Sequence, residues 1–177
     1  MGLFFYLRFM RIFLIGYMGS GKSTVGRKLA TRLGMDLIDL DDYIESKYKI
    51  AIHDFFEKYD EAAFRKIESD MLIEVSQKDN LIISTGGGTP CFNDNIEIIN
   101  KSGLSVYVKM HPKSLYTRLI NAKRIRPLVR DLKGDELLTR IENHLAERSQ
   151  FYEQAHLTVK GEDIDLDQLI EKIKLSS

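Results

Sequence analysis

The sequence has little of what marks secreted, membrane-spanning or general nucleic-acid-binding proteins. Its single cysteine, Cys91, excludes a disulfide framework within the chain and favours a reducing, cytoplasmic location. No apolar run approaches the roughly 20 residues that cross a bilayer as a helix, so we expect no membrane association. Lysine and arginine together number 26, as do aspartate and glutamate, and this balance argues against a nucleic-acid partner. A local basic pocket for a small anion is still compatible with zero net charge.

A chain of 177 residues is long enough for one domain whose hydrophobic core needs neither a disulfide nor a structural metal. Residues 1–9, MGLFFYLRF, are apolar but lack the basic start and the small-residue cleavage site of a secretory signal. We interpret them as an N-terminal extension with no part in the chemistry, or as an extra turn on the sheet edge. We expect a monomer.

Short apolar runs alternate with longer charged segments of helical period, a pattern typical of a parallel sheet covered by helices on both faces. We therefore predict an α/β protein with a short, mostly parallel five-stranded sheet in three αβα layers. The predicted strands are Arg11–Ile15, Asp36–Asp39, Leu81–Ser84, Ser105–Lys109 and Leu157–Val159. The predicted helices are Lys22–Leu33, Asp42–Lys47, Ile52–Lys58, Tyr59–Gln77, Asn93–Lys101, Pro112–Asn121, Asp135–Ala155 and Asp165–Lys174.

Two intervals differ from this alternation and are interpreted as parts of one domain spanning residues 1–177. Residues 39–77 are mostly helical in pattern and predict an inserted lobe that contacts a substrate. Residues 122–134, AKRIRPLVRDLKG, are basic and have no strong period, which is the composition of a mobile lid or of an ordinary charged loop.

Residues 16–23, GYMGSGKS, match the phosphate-binding pattern G-x-x-x-x-G-K-[ST]. They follow an apolar strand and begin an amphipathic helix, the context in which glycines let backbone amides converge on an anion at the positive end of a helix dipole. Lys22 adds a cation for the outer phosphates, and Ser23 adds a hydroxyl for Mg²⁺. The motif predicts a nucleoside triphosphate site. The sequence has no guanine-reading N-K-x-D, and no ATPase-type D-E pair closes an apolar strand, which favours phosphoryl transfer to a substrate.

Asp39 and Asp41 end the second predicted strand, in LIDLDD. Side chains two apart on a strand point to one face, so we expect both carboxylates at the carboxyl edge of the sheet, where ligands bind. Phosphoryl transfer to an alcohol needs one carboxylate near Mg²⁺ and one that orients the hydroxyl. The alternative is an acidic cap for the next helix, which is the role we prefer for Asp42.

The glycine run in residues 84–88, STGGG, predicts close approach of a ligand to the main chain, and Ser84 could reach a Mg²⁺-bound water. Arg65, one turn from Glu68, and Arg148 could together bind a carboxylate. Each could equally be a solvated helix residue or part of an ion pair within its helix. Arg126, in the predicted lid, could offset the charge of a transferring phosphate.

The four histidines, His53, His111, His144 and His156, have no metal-ligand spacing to one another. We expect them to be surface or capping residues.

The ordered set of motifs GYMGSGKSTVG, DLD, FRKIE, STGGG, RIRPL and ERSQFY resembles that of the shikimate kinase family, from Met10 almost to the C-terminus. The resemblance implies a P-loop fold and ATP-dependent phosphorylation of the 3-hydroxyl of shikimate. The products would be shikimate 3-phosphate and ADP, in chorismate and aromatic amino acid biosynthesis. The cofactors implied are ATP and Mg²⁺.

The same resemblance implies a role for each matching residue. The implied ATP-binding residues are Gly19, Ser20, Gly21, Lys22, Ser23, Thr24, Arg118 and Arg126. The implied substrate-binding residues are Asp41, Arg65, Gly86, Gly87, Gly88 and Arg148. Ser23 would bind Mg²⁺ directly and Asp39 through water, while Asp41, Lys22 and Arg126 would be catalytic, with Asp41 as the candidate base.

Two other functions remain open. Another small-metabolite P-loop kinase, acting on gluconate or a nucleotide, would share the phosphate loop, but the triple glycine and the DLD spacing favour shikimate. A catalytically inactive module that senses a nucleotide or metabolite is the second, and the retained Lys22, Ser23 and Asp41 argue against it.

Overall fold

The computed structural model describes residues 10–122, 132 and 134–176. This part of the chain contains a five-stranded sheet in the order β2-β3-β1-β4-β5, and every pair of neighbouring strands is parallel. The strands are β1 Arg11–Ile15, β2 Asp36–Asp39, β3 Leu81–Ser84, β4 Leu104–Lys109 and β5 Leu157–Lys160. The predicted α/β class is therefore confirmed.

Helices connect the strands in the predicted order. They are α1 Lys22–Leu33, α2 Leu40–Tyr48, α3 Ile52–Lys58, α4 Glu61–Val75, α5 Asn95–Ser102, α6 Pro112–Ile120, α7 Gly134–Tyr152 and α8 Leu166–Leu175. A short 3₁₀ turn, Thr89–Cys91, follows the glycine run. Among the described residues, no helix is both long enough and apolar enough to span a bilayer.

The central strand β1 explains the three layers, because its apolar side chains are buried on both faces of the sheet. Ile12 and Leu14 pack into one apolar cluster with side chains of α1 and α8. Phe13 and Ile15 pack into a second cluster with side chains of α2 and α4 to α7. A continuous apolar run in a parallel strand thus places helices on each side, as the sequence predicts.

The second strand ends at Asp39, as predicted, and the next helix begins directly after it. The Asp39 carboxylate accepts a hydrogen bond of 3.2 Å from the backbone amide of Asp41 and caps α2, which begins at Leu40. The cap predicted for Asp42 is therefore wrong, and so is the placement of Asp41 on a strand beside Asp39. Asp41 instead lies in the first turn of α2, because a well-placed carboxylate satisfies the amides that begin a helix.

The interval predicted as a substrate lobe contains α2, α3 and α4. Phe55 and Phe64 are buried there with ring centroids 5.8 Å apart, and the half-buried Phe56 lies 4.8 Å from Phe64. Helix α4 begins two residues after the predicted Tyr59, because Asp60 caps it. Most of the predicted lid, with Arg126, and residues 1–9 lie outside the described residues.

Candidate active site

The phosphate loop ends at a helix whose first amides are not capped by a side chain. Gly21, at the cap of α1, has φ 97°, a conformation that glycine adopts without steric cost. The first turn of α1 contains no acidic residue, whereas Asp39, Asp60 and Asp165 cap α2, α4 and α8. A helix N-terminus without its own carboxylate fits an external anion.

The side chain of Lys22 is fixed within the same loop. Its ammonium donates to the carbonyl oxygens of Gly16 at 2.8 Å and Tyr17 at 2.9 Å, and the side chain is buried. The loop therefore combines uncapped amides with a fixed cation, which together suit a polyphosphate.

Three oxygen-bearing side chains meet at the start of α1. Asp39 and Ser84 are paired in register at the ends of β2 and β3. The Ser23 hydroxyl donates to an Asp39 carboxylate oxygen at 2.5 Å and lies 3.2 Å from the Ser84 hydroxyl. Oxygen ligands are those that Mg²⁺ prefers, so this group fits the metal predicted beside the phosphates.

A cavity of about 320 Å³ joins the phosphate loop to the acidic residues. Its lining includes ten of the predicted site residues, namely Gly19, Gly21, Lys22, Ser23, Thr24, Asp39, Asp41, Gly86, Gly87 and Arg118, and also Met18 and Thr85. A larger, more apolar groove of about 550 Å³ runs beside α7 and β5, and it contains none of the described residues predicted for the site.

The glycine run packs directly against the phosphate loop and the acidic residues. A Cβ on Gly87 would lie 2.8 Å from the backbone nitrogen of Met18. A Cβ on Gly86 would lie 2.9 Å from carboxylate oxygens of both Asp41 and Glu68. Close packing therefore requires glycine at both positions. The loop after β3 thus contacts the phosphate loop at Gly87 and the acidic residues at Gly86.

Arg65 lies next to this run in a buried ion-pair network. Its guanidinium donates to Glu68 at 2.8 Å and to Glu61 at 2.9 Å, and Thr89 donates to Glu68 at 2.6 Å. Burial disfavours the charge of Arg65, but the attraction of Glu68 and Glu61 outweighs it and raises the pKa of the guanidinium. A Cβ on Gly88 would lie 2.6 Å from this guanidinium. Arg65 is thus ion-paired within its helix and also close to the cavity.

Arg148 is held in a different way. It is buried on α7, and its Nη1 has no hydrogen-bond partner among the residues that the structure describes. Its guanidinium carbon lies 5.6 Å from the centroid of the Tyr17 ring. A buried cation with an unsatisfied nitrogen carries an energetic penalty that an anionic ligand would remove.

Cys91 is influenced by both arginines. Burial raises the pKa of this thiol to about 11, while the charges of Arg148 and Arg65 oppose that rise. Both guanidinium groups therefore act electrostatically on the same thiol. Tyr152, on α7, adds a connection by donating a hydrogen bond of 2.5 Å to the carbonyl of Gly87. Cys91 itself is held in its neutral form.

Arg118 lies over the phosphate loop. Its Nη1 is 3.4 Å from the carbonyl oxygen of Gly19, and a Cβ on Gly21 would lie 2.9 Å from the same nitrogen. The buried Ser20 does not line the cavity, and its hydroxyl has no partner among the described residues. Arg126 lies outside the part of the chain that the structure describes.

One histidine differs from the expectation of surface or capping residues. His144 is buried on α7, and its Nδ1 lies 2.9 Å from the Tyr17 hydroxyl. Burial, helped by the charges of Arg148 and Arg140, lowers its pKa to about 4. His111 caps α6 as expected.

The structure also adds residues near the site that the sequence did not predict, namely Tyr17, Tyr152 and Thr85. Nothing in their local sequence indicates which way their side chains turn.

Comparisons with known proteins identify the family of this chain. The family model described as shikimate kinase matches residues 18–176. A shikimate kinase from Parabacteroides distasonis is 46% identical over 86% of this chain and 88% of that protein. The structure of shikimate kinase from Bacteroides thetaiotaomicron superposes with a TM-score of 0.84 at 41% identity, covering 94% of this chain and 95% of that one. Shikimate kinase from Acinetobacter baumannii, solved in complex with shikimate, has the same TM-score at 32% identity, covering 96% and 94%. The chain therefore belongs to the shikimate kinase family.

Proposed function

We propose that the protein transfers the terminal phosphate of ATP to the 3-hydroxyl of shikimate, forming shikimate 3-phosphate and ADP. The observation that carries this function is the single cavity in which the phosphate loop and Asp41 face each other. Membership of the shikimate kinase family and the shikimate complex of the Acinetobacter baumannii relative identify the acceptor.

On the nucleotide side, the backbone amides of residues 19–24 bind the ATP phosphates. Lys22 neutralises charge on the outer phosphates, since its ammonium is already fixed within the loop. Arg118, over the carbonyl of Gly19, contributes a second cation near the nucleotide. Arg126, in the predicted lid, is proposed to contact the transferring phosphate.

Ser23 and Asp39 would hold Mg²⁺, with Ser23 as its direct ligand and Asp39 acting through water. The metal, when bound, supplies charge neutralisation at the phosphates. The support for this assignment is the short contact between the two side chains and the neighbouring Ser84 hydroxyl. Asp39 also caps α2, so the residue that fixes the metal also fixes the helix that carries Asp41.

On the acceptor side, Asp41 orients the shikimate hydroxyl and accepts its proton as the oxygen attacks the phosphorus. Arg65 and Arg148 bind the shikimate carboxylate, since guanidinium forks match that group. Gly86, Gly87 and Gly88 let the sugar-like ring approach the main chain. In this arrangement charged side chains orient the hydroxyl and the carboxylate of shikimate, and the glycine run accommodates the shape of its ring.

Two alternative functions make different predictions. A gluconate or nucleotide kinase would share the loop but would turn over its own acceptor faster than shikimate. An inactive sensing module would bind shikimate and nucleotide without forming ADP. We further propose that the enzyme acts in the cytoplasm, as its single cysteine favours, and that it is a monomer.

Coupled ADP release over a panel of acceptors tests the function. We expect turnover with shikimate, ATP and Mg²⁺, and little with gluconate or AMP at the same concentration. Faster turnover of gluconate or AMP would overturn the acceptor assignment. Binding of shikimate measured by titration calorimetry, with no ADP formed, would support the sensing module instead.

A further inference from the structure

Tyr17 occupies a junction between the two halves of the site. It is the second residue of the phosphate loop, and its side chain is 1% exposed. Its backbone carbonyl accepts the hydrogen bond from Lys22 at 2.9 Å, while its ring lies against Arg148. Its hydroxyl and Nδ1 of His144 are 2.9 Å apart. One residue therefore contacts the nucleotide-binding cation through its main chain and the acceptor-binding cation through its side chain.

His144 and Arg148 are four residues apart on α7 and share one face of that helix. His144 is 5% exposed, and its ring lies 6.0 Å from that of Tyr17. The lowered pKa of His144, about 4, keeps the imidazole neutral near pH 7. Burial also raises the pKa of Tyr17 to about 12, so the phenol keeps its proton. The two side chains thus form a neutral hydrogen-bonded pair next to a buried guanidinium.

A neutral pair such as Tyr17 and His144 can orient an arginine without neutralising its positive charge. Arg65 is oriented by Glu68 and Glu61, which neutralise much of its positive charge. No salt bridge to Arg148 is found among the described residues; Tyr152 shares a side-chain hydrogen bond with it, but its Nη1 has no partner there. Its long side chain needs to be held in one rotamer to bind a ligand. The face of the Tyr17 ring attracts the guanidinium through its quadrupole, and the hydrogen bond to His144 prevents the ring from turning away.

We propose that Tyr17 and His144 are positioning residues that hold Arg148 in the orientation in which it binds the acceptor carboxylate, and that they fasten α7 to the phosphate loop. This inference rests on the proposed function, in which Arg148 is a carboxylate ligand. Neither Tyr17 nor His144 lines the cavity, so their effect on the acceptor would be exerted through Arg148.

Three single variants test the pair. Tyr17→Phe keeps the ring but removes the hydroxyl, and His144→Leu removes the imidazole. We expect each to raise the KM for shikimate by about fivefold to tenfold, the range of one lost hydrogen bond, with kcat and the KM for ATP within about twofold. His144→Asn retains an acceptor and a donor close to the place of Nδ1, so its KM for shikimate should remain close to that of the wild type. Tyr43→Phe, which removes a hydroxyl bonded to Glu74 outside the cavity, is the matched control.

A double-mutant cycle with Arg148→Met separates positioning from general destabilisation. If Tyr17 acts through Arg148, adding Tyr17→Phe to Arg148→Met should produce no further change in shikimate affinity measured by calorimetry. An equal loss of affinity in both backgrounds would overturn the inference, as would an unchanged KM in Tyr17→Phe and His144→Leu. Melting curves identify a variant that does not fold, in which case the other variant carries the cycle. Failure of the wild type to phosphorylate shikimate would instead overturn the proposed function.

Discussion

The nucleotide side and the acceptor side of the cavity are built in different ways. The proposed nucleotide side comes mostly from consecutive residues, 16–24, with their backbone amides and Lys22, and Arg118 of α6 is its one distant described contributor. The proposed acceptor side uses side chains from distant parts of the chain, from Asp41 in α2 to Arg148 in α7. A site made of local main chain is encoded in a short motif, whereas a site made of distant side chains depends on how the helices pack.

Buried charge is also handled differently on the two sides. Lys22 is stabilised by carbonyl oxygens of its own loop, while Arg65 depends on carboxylates of α4. Loss of an acceptor-side charge should therefore affect folding as well as binding. The following predictions use this difference, from the largest expected effect to the smallest.

Replacing Asp41 should produce the largest loss of activity. Asp41→Asn removes the proposed base, so we expect kcat to fall by about 10²- to 10⁴-fold with an unchanged melting curve. ADP release measures the rate. Asp42→Asn is the control, because Asp42 is the next residue on α2 and is exposed outside the cavity. A kcat for Asp41→Asn equal to that of the control would show that Asp41 is not the base.

Removing Arg65 should weaken shikimate binding far more than ATP binding. We expect Arg65→Ala to raise the KM for shikimate by about 100-fold, the range for truncation of a buried charge pair. It should also destabilise the protein by about 3 kcal/mol, since Glu68 is left buried without its cation. Steady-state kinetics and urea unfolding measure the two effects, with the exposed Lys66→Ala as control. Equal changes in both KM values would contradict the carboxylate assignment.

Adding a methyl group to the glycine run should affect catalysis more than stability. The Cβ of Gly87→Ala would meet the backbone nitrogen of Met18, so the loop must move, and we expect kcat/KM to fall by about tenfold. Gly34→Ala is the contrasting variant, because its Cβ meets nothing within 4 Å but its φ is 65°. It should cost about 1 kcal/mol of stability and leave the kinetics unchanged. Unchanged kinetics in Gly87→Ala together with reduced kcat/KM in Gly34→Ala would contradict this account of the glycine run.

The lowered pKa of His144 should make the stability of the protein depend on pH. Its pKa is about 4 in the folded protein against an ordinary 6.5, because it is buried beside Arg148 and Arg140. Between these values the unfolded chain takes up a proton that the native state does not, so stability falls as pH falls from 6.5 to 4. Urea unfolding at pH 7.5 and pH 5 should show a smaller loss of stability for His144→Asn than for the wild type. Equal losses would mean that His144 titrates alike in both states.

Much of the fold is readable from the sequence because its signals are local. The run RIFLI, buried on both faces, and the five predicted strands agree with the structure to within a residue or two. The prediction that Asp42 caps α2 was wrong because three neighbouring aspartates, at positions 39, 41 and 42, are all suitable caps. In the structure the cap is Asp39. The ion pairs of Arg65 follow from helix spacing, but their burial does not. The contact of Tyr17 with His144 joins residues 127 positions apart and has no local signal.

A crystal structure with ADP, Mg²⁺ and shikimate tests the account most directly. It should show the diphosphate bound by the amides of residues 19–24, the metal at Ser23, and the shikimate 3-hydroxyl within hydrogen-bond distance of Asp41. A shikimate ring bound away from Asp41, or a diphosphate bound elsewhere than this loop, would contradict the account.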